Sequence, residues 1–344
     1  MLKKVFYTIV FIVLIFISVS FFLPREVHVE RSIAIDRPAA TVFTVLNSYR
    51  QFEAWSPWAS RDPSTRYELT GPAAGVGARL TWSGDPRLTG SGWQEIVSSE
   101  PFRRIEIRLD FEQQGVAESY FDIDETRQGV QLTWGFDTDL LEGQGWFAGV
   151  LARYFGLFFD RWIGADYEAG LARLEAFVEA LPPADFADLD VAVMDVQPQD
   201  ILYVRLDDMP GSIAIEERLA AAYREISSFM DGHGIEMAGE PLTITHGNAG
   251  PGISLEAAVP AIATSAEPAG HVRIGRSPGG RAVRTVHRGS HGNLVSTYEK
   301  LAAWMAAHGL EEGRISWEHY VSDPAQTPPG ERVTHIYVLL ADGP

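Results

Sequence analysis

The sequence of 344 residues contains no cysteine. This absence excludes disulfide bonds, thiol nucleophiles and thiolate metal sites together. Basic residues are also scarce, since 28 Lys and Arg stand against 46 Asp and Glu and give a formal net charge of -18. A chain this acidic repels phosphate backbones, so nucleic acid is not an expected partner. Its length exceeds one ordinary hydrophobic core and predicts two domains.

Recognisable catalytic and metal-binding patterns are also missing. Asp122, Asp124 and Glu125 fall at the end of a predicted strand, where successive side chains alternate between faces and do not converge on calcium. His287 and His291 flank a Gly-Ser turn without a convincing third metal ligand. No serine, histidine and aspartate occur in the context of a catalytic triad. The sequence therefore predicts no metal, no cofactor and no assembled catalytic site.

One long apolar run, Val5–Leu23, stands near the N-terminus and carries no charge. As a helix rising 1.5 Å per residue, it nearly spans the roughly 30 Å hydrocarbon core of a bilayer. Lys3 and Lys4 precede it, which favours an N-terminus in the cytoplasm. Ser18-Val19-Ser20 also allows a cleaved signal peptide. Residues 1–24 are therefore predicted as a single-pass membrane anchor or a signal sequence, and either one places the remaining domains on the extracytoplasmic side.

Strand-like segments separated by turns predict a first domain at residues 29–181. Val29–Ile35 alternates as a strand, and Asp36 is expected to cap a helix that includes Pro38 and ends near Leu46. One long helix, Trp146–Ala180, is predicted to close the domain because its apolar residues keep helical spacing. The other predicted strands are Tyr67–Leu69, Arg79–Trp82, Gly90–Ser98, Arg104–Phe111, Glu118–Asp124 and Val130–Phe136.

Aromatic residues are dense in this domain and favour an apolar cavity for a lipid-like or aromatic ligand. A fully packed aromatic core remains the alternative interpretation. The candidate cavity residues are Trp55, Trp58, Trp82, Trp93, Trp134, Phe155 and Phe159.

The opening stretch Val29–Ala39 and the segment Phe52–Trp58 resemble the SRPBCC superfamily, the START-like or polyketide-cyclase-like helix-grip fold. Gly75-Val76-Gly77 ahead of a strand and the long terminal helix complete the resemblance. It implies an α+β fold with an antiparallel sheet gripping a long C-terminal helix. It also implies a cavity for lipids, sterols, hormones or polyketides, although some members catalyse and many only bind.

Residues 182–190 are predicted as a linker, because Pro182 and Pro183 stop the preceding helix. The following domain, residues 191–342, holds one unit used twice, at about 199–261 and 280–341. Tyr223 lies 75 positions before its counterpart Tyr298, and at the same offset Thr243 corresponds to Glu318. The other matched pairs are Ile226 with Leu301, Phe229 with Trp304, Met230 with Met305, His233 with His308, Gly234 with Gly309, Ile235 with Leu310 and Glu236 with Glu311.

Each copy predicts a strand, a helix and two further strands. The first copy comprises Ile201–Leu206, helix Glu216–Gly232, Leu242–His246 and Ser254–Val259. The second comprises Ala282–His287, helix Asn293–His308, Ile315–Tyr320 and Thr334–Leu340.

The stretch Trp317-Glu318-His319-Tyr320, together with Tyr298, Leu301, Trp304 and His308-Gly309, resembles the GyrI-like family. That small-molecule-binding module also serves as the effector domain of AraC- and MerR-type regulators. The resemblance implies a tandem-repeat α+β domain and a pocket glutamate on a late strand that meets cationic or polar ligands. Glu318 matches that position. No helix-turn-helix region accompanies the module here.

Glu318 and Tyr320 are two apart on a predicted strand and share a face. A carboxylate beside aromatic rings suits a cation, and cation–π contacts add about 0.5–2 kcal/mol. The sequence therefore predicts a membrane-anchored protein that binds small hydrophobic or cationic molecules in one or both domains without chemistry of its own. The candidate ligand-binding residues are Glu318, Tyr320, Tyr298, Trp304 and Trp317.

An enzyme is the alternative prediction. Some proteins that resemble the GyrI-like module hydrolyse small electrophilic compounds. In such a reaction Glu318 would act as the general base, and Tyr320 or Tyr298 would donate the proton. A gyrase-inhibiting or protein-docking role conflicts with the export signal. The ligand, the domain that binds it and the oligomeric state stay open at this stage.

Overall fold

The computed structural model describes residues 2–112, 115–207, 212–247, 253–262, 266–323 and 326–341. The chain divides into two compact units, one built mainly from residues before Phe186 and the other mainly from residues after Asp185. Each unit combines one antiparallel sheet with helices, which confirms the α+β class.

The apolar run near the N-terminus forms helix α1, Leu2–Ser20. Its Lys3–Ser20 segment has a mean hydropathy of 2.0 and is long and apolar enough to cross a membrane, a property that signal sequences share. The helix starts before the predicted run and ends earlier than predicted, because Phe21, Phe22 and Leu23 form a turn whose amides bond back to the last helical carbonyls.

A seven-stranded antiparallel sheet builds the first unit, in the order β1-β7-β6-β5-β4-β3-β2. All seven strands predicted for this region are confirmed, with ends shifted by a few residues. They are β1 (Glu26–Ile35), β2 (Arg66–Thr70), β3 (Arg79–Ser83), β4 (Ser91–Glu100), β5 (Arg104–Asp110), β6 (Val116–Thr126) and β7 (Gly129–Asp139).

Two short helices, α2 (Ala39–Leu46) and α3 (Phe52–Trp55), lie between β1 and β2. The prediction that Asp36 caps the first of them was wrong. Pro38 occupies the position before α2 and no side chain caps the helix. The backbone N–H of Asp36 instead donates to Oε1 of Glu179 at 2.9 Å, which ties this turn to the end of the terminal helix.

The terminal helix predicted as one piece is two helices, α4 (Trp146–Gly156) and α5 (Phe159–Glu179). The break follows Gly156, a residue that favours helix weakly. A Cβ at Gly156 would lie 2.5 Å from Cδ1 of Leu140, so a larger residue there would require the Leu140 side chain to move. The longer helix α5 buries one face against the sheet, through Gly164, Tyr167, Gly170, Leu171, Leu174 and Val178.

The second unit is an eight-stranded antiparallel sheet with two long helices, α6 (Ser212–His233) and α7 (Leu294–Ala307). Its strand order is β12-β9-β11-β10-β14-β15-β13-β8. The strands are β8 (Val191–Val196), β9 (Asp200–Leu206), β10 (Leu242–Gly247), β11 (Ile253–Pro260), β12 (Arg273–Arg276), β13 (Gly280–Arg288), β14 (Glu312–Tyr320) and β15 (Val333–Leu340). All the elements predicted for the two copies are present, and β8 and β12 are additional strands at the sheet edges.

The strand order reflects the sequence repeat. The first copy contributes the neighbouring strands β9-β11-β10, and the second contributes the equivalent strands in reverse order, β14-β15-β13. The two copies meet where β10 pairs with β14. Repeat-matched residues occupy equivalent cores, since Ile226 and Met230 of α6 belong to one core and Leu301 and Met305 of α7 belong to the other. The matched glycines after the helices both have positive φ, which lets the chain leave each helix through a left-handed turn.

The segment predicted as a linker is partly held by the second unit. Leu189 packs against the core beneath α7. Nζ of Lys300, on α7, lies 2.6 Å from Oδ1 of Asp188 in an exposed ion pair.

Candidate functional site

A row of cross-strand neighbours locates Glu318 within the second sheet. Ala257 on β11 pairs with Thr243 on β10, Thr243 pairs with Glu318 on β14, and Glu318 pairs with Ile336 on β15. Directly paired residues share a face of the sheet. Ala257 belongs to the core beneath α6 and Ile336 to the core beneath α7. Thr243 and Glu318 therefore lie on the helix-bearing face, at the seam between the two copies.

Three tyrosines gather around this seam. Tyr298 of α7 donates its hydroxyl to Oε1 of Glu318 at 3.0 Å, and Tyr320 of β14 donates to Oε2 at 3.0 Å. Tyr320 also lies 2.8 Å from the hydroxyl of Thr243. Tyr223 of α6 donates to the carbonyl of Leu242 at 2.8 Å and lies 2.9 Å from the same threonine hydroxyl. Both carboxylate oxygens of Glu318 thus accept a tyrosine O–H.

The environment keeps these tyrosines protonated. Burial raises the pKa of Tyr298, and the neighbouring carboxylate of Glu318 raises it further. The same two causes, in the same order, raise the pKa of Tyr320 well above its usual value. Burial also raises the pKa of Tyr223. At neutral pH all three hydroxyls therefore act as donors, and Glu318 is the acidic group of the cluster.

His291 borders the same cluster from the turn that precedes α7. Its ring centroid lies 5.1 Å from that of Tyr320 in an edge-on arrangement. Burial lowers the pKa of His291, while the charge of Glu318 acts in the opposite direction. The imidazole is therefore neutral at pH 7, and its protonation adds a positive charge beside the carboxylate. The sequence indicated only a loop histidine here, since no spacing pattern links residue 291 to the seam.

Two other predicted ligand residues do not join the cluster. Trp317 alternates to the opposite face of β14, is 1% exposed and stacks on Tyr337 with ring centroids 5.0 Å apart. Trp304 packs against the core beneath α7. We therefore leave both out of the candidate site, which consists of Glu318, Tyr298, Tyr320, Tyr223, Thr243 and His291. Tyr223 and Thr243 are the repeat counterparts of Tyr298 and Glu318, but they were not among the residues predicted for the site.

The first unit contains a separate cavity of about 180 Å³. This is smaller than the roughly 300–1,000 Å³ of common ligand clefts. Of the predicted cavity residues, Trp58 and Trp82 line it. The full lining is Phe52, Trp58, Tyr67, Trp82, Thr89, Gln94, Leu109, Phe111, Phe136, Ile163, Asp166 and Tyr167.

Two more predicted cavity residues are core residues, because they are packed on all sides. Trp55 is 3% exposed and Trp134 is 4% exposed. The ring of Trp134 stacks on Tyr167 with centroids 3.8 Å apart, and its Nε1–H donates to Oγ of Ser119 at 3.0 Å. For these two tryptophans, the alternative interpretation of a packed aromatic core applies.

The remaining predicted cavity residues lie outside the lining. Trp93 and the lining residue Gln94 are neighbours on β4, so their side chains lie on opposite faces of the sheet. The guanidinium of Arg79 lies 3.9 Å from the ring centroid of Trp93. Phe155 is 56% exposed on α4. Phe159 is half-buried, with its ring centroid 6.5 Å from that of the lining residue Phe136.

The polar groups of the cavity wall include Gln94 and Asp166. Oδ2 of Asp166 accepts the Nε1–H of Trp58 at 3.2 Å, and its other oxygen accepts from Arg61. The carboxylate is therefore paired, and the cavity presents a mainly apolar surface. Across the described ranges, no three His, Asp or Glu side chains are grouped so that they could hold a metal ion.

Comparison with protein families finds a match in each unit. Residues 26–179 match the family described as polyketide cyclase / dehydrase and lipid transport. Residues 251–341 match the GyrI-like small molecule binding domain. The chain therefore carries an SRPBCC-type domain followed by a GyrI-like small-molecule-binding domain. The second match covers the second copy of the repeat, which contains Glu318. A search of curated proteins finds no match.

Solved structures resemble the chain only distantly. The C-terminal domain of EcmrR is 14% identical, covers 45% of this chain and 99% of its own, and has a TM-score of 0.40. A hydrolase from Listeria innocua is 15% identical over 44% of this chain and 92% of its own, with a TM-score of 0.33. The di-domain ARO/CYC StfQ from the steffimycin biosynthetic pathway is 16% identical over 45% of this chain and 51% of its own, with a TM-score of 0.35. These values carry no argument about function.

Proposed function

We propose that this chain is a membrane-anchored protein that binds small apolar cations at Glu318. The observation that carries the proposal is the arrangement of one half-buried carboxylate between two tyrosine donors at the seam of the GyrI-like domain. Anchoring by α1, with both folded units on the extracytoplasmic side, is part of the same proposal. The cavity of the first unit is proposed to hold a small apolar molecule or acyl segment.

The charge of Glu318 supports a cationic ligand. Its oxygens accept from neutral tyrosines, and within the described part of the chain no Lys or Arg forms an ion pair with it. A carboxylate removed from water gains most from an opposite charge, worth up to about 4 kcal/mol at 4 Å near a protein surface. The rings of Tyr320 and Tyr298 add an electron-rich surface that attracts organic cations. The ligand that fits both features has a diffuse positive charge on an apolar body.

A pair of matched ligands tests this ligand class. A quaternary ammonium compound and its neutral isostere, in which carbon replaces the charged nitrogen, differ in charge and hardly in shape. We expect the cation to bind about 10- to 100-fold more tightly, because only the cation is attracted to the carboxylate and forms cation–π contacts with the tyrosine rings. Calorimetric titration of the purified full chain measures both affinities. Equal affinities for the two compounds would contradict the proposal.

Protonation of His291 gives the site a pH dependence. Burial lowers the pKa of His291 from its ordinary value of 6.5, so the side chain is neutral at pH 7 and becomes charged as the pH falls. The new positive charge near Glu318 opposes a bound cation, and affinity is expected to be constant from pH 7 to 8 and to fall below pH 6. In a His291→Asn variant this decline should be weaker, because the protonating imidazole is gone. Affinities measured from pH 5 to 8 in both proteins check this, and identical profiles would remove His291 from the site.

Hydrolysis of a small electrophilic compound is a second candidate function, and the same hydrogen bonds support it. Glu318 is positioned to act as a general base, while Tyr298 and Tyr320 retain protons that they can donate to a leaving group. Product release from an ester or epoxide by the wild type, lost in Glu318→Gln, would favour hydrolysis. Binding without turnover favours the primary proposal.

A further inference from the structure

A continuous apolar surface runs along α4 and the start of α5, and no buried core accounts for it. Its three members on α4 recur at intervals of four positions and share one face of that helix. Phe158 and Trp162, with ring centroids 5.7 Å apart, extend the row of exposed apolar residues across the break to the start of α5. Each is between 50% and 79% exposed, whereas folded proteins rarely expose contiguous large apolar patches without a partner. We call this surface the apolar stripe, and it consists of Phe147, Leu151, Phe155, Phe158 and Trp162.

The opposite side of α4 faces the protein. Gly149 is buried and Val150 is 8% exposed, so the helix is anchored through that side. Trp146, at the first position of α4, is 56% exposed and packs edge-on against Phe147. The helix is thus apolar on two sides, one turned to the protein and one turned outward.

Specific contacts hold α4 against the C-terminal end of α1. The ring of Tyr154 stacks on Phe16 with centroids 4.1 Å apart, and its hydroxyl donates to the Phe16 carbonyl at 2.6 Å. Arg153 donates to the carbonyls of Ser20 at 3.2 Å and Leu23 at 2.9 Å. The Phe16 and Ser20 carbonyls belong to the end of the candidate membrane span, and Leu23 lies just after it. The C-terminal half of α4, which carries Leu151 and Phe155 of the stripe, therefore lies beside the point where the proposed anchor leaves the hydrocarbon.

We propose that the apolar stripe is embedded in the interfacial layer of the lipid bilayer beside α1. The inference rests on the proposed membrane anchoring. Tryptophan and phenylalanine are the side chains that favour this layer, and an amphipathic helix buries its apolar face there to a depth of roughly 5–10 Å. Ile163, which follows Trp162, lines the cavity of the first unit. Docking of the stripe therefore places that wall of the cavity next to lipid.

Charge argues for an uncharged or zwitterionic lipid surface as the partner. The formal net charge of -18 opposes approach to anionic headgroups, and the stripe itself consists of apolar residues only. Burial of apolar area is then the driving force, so the docking should respond weakly to salt. A second protein seated on the stripe is the competing occupant, and the test below distinguishes the two.

The absence of cysteine makes the test direct, because a single cysteine can be introduced and spin-labelled at any position. The full chain is reconstituted into phosphatidylcholine vesicles with the label at Phe155→Cys, at Leu151→Cys, at Leu14→Cys within α1, or at Val97→Cys. Val97 is the matched control, an apolar residue 46% exposed on β4 of the same unit. The readout is the collision of each label with oxygen, which partitions into lipid, relative to a water-soluble nickel chelate.

The labels at Phe155 and Leu151 are expected to give oxygen-to-nickel ratios several-fold above the Val97 label, as the Leu14 label does. Ratios at both stripe positions equal to that of Val97, with Leu14 in lipid, would overturn the docking and leave the anchor intact. Low collision rates with both oxygen and the nickel chelate at the stripe would indicate that a protein covers it. That result would also overturn the proposed docking to lipid. A water-exposed Leu14 label would contradict the anchoring itself and the docking with it.

Discussion

The Glu318→Gln variant is expected to bind an apolar cation about 10- to 100-fold more weakly than the wild type, a loss of about 1.4–2.7 kcal/mol. Glutamine keeps the size of the side chain and a carbonyl acceptor for Tyr298 or Tyr320. It removes the negative charge that a cation requires, and the Coulomb contribution of that charge is large in a partly buried site. Calorimetric titration with a quaternary ammonium ligand measures the difference.

Glu299→Gln is the matched control. Glu299 follows Tyr298 on α7, is exposed, and removing its charge changes the net charge of the chain by the same amount. Its affinity is expected to stay within about twofold of the wild type, since exposed charges are screened by solvent. An equal loss of affinity in both variants would mean that the overall field of the domain, rather than the seam, attracts the cation. Unchanged binding in Glu318→Gln would remove the carboxylate from the site altogether.

Replacement of Trp134 by Ala is expected to lower the free energy of unfolding of the first unit by about 3–5 kcal/mol. Trp134 is 4% exposed, stacks on Tyr167 and donates to Ser119. The substitution removes the stacked ring and leaves a cavity between α5 and the sheet. Denaturant unfolding followed by circular dichroism measures the loss, with the slope of the transition checked for two-state behaviour.

Trp93→Ala provides the comparison for this effect. Trp93 is half-buried, and the guanidinium of Arg79 lies 3.9 Å from its ring centroid. Loss of a partly exposed cation–π contact is expected to cost about 0.5–1 kcal/mol. If both substitutions cost the same, Trp134 is not the core residue that its burial indicates. If Trp134→Ala were neutral for stability but weakened a ligand, the original prediction of a cavity role would regain support.

The sequence predicted most strands and the two repeat copies, because alternation and internal similarity are both visible along the chain. Alternation located the strands, and the offset between Tyr223 and Tyr298 located the two copies. The counterparts Thr243 and Glu318 proved to be direct cross-strand neighbours, which a two-fold arrangement of repeats requires. The face occupied by Trp317 also followed from alternation on β14, although composition had placed it among the ligand residues.

Features that depend on three-dimensional packing were not accessible in this way. The apolar spacing continues from Phe147 through Trp162, so it gives no signal of the break after Gly156. The break is visible only in the structure, where α4 ends at Gly156 and α5 begins at Phe159. Similarly, aromatic content cannot distinguish Trp134 in the core from Trp58 at the cavity wall. His291 reaches Tyr320 only because its turn packs over the sheet, and no local pattern encodes that contact.

Native mass spectrometry of the full chain, purified in detergent as the wild type and as Glu318→Gln, tests the central claim most directly. The wild type is expected to retain a small molecule that, once released, carries a permanent or protonated positive charge, and the variant is expected to have lost it. Retention of the same molecule by both proteins would contradict a binding site at Glu318. The function would then belong to the cavity of the first unit.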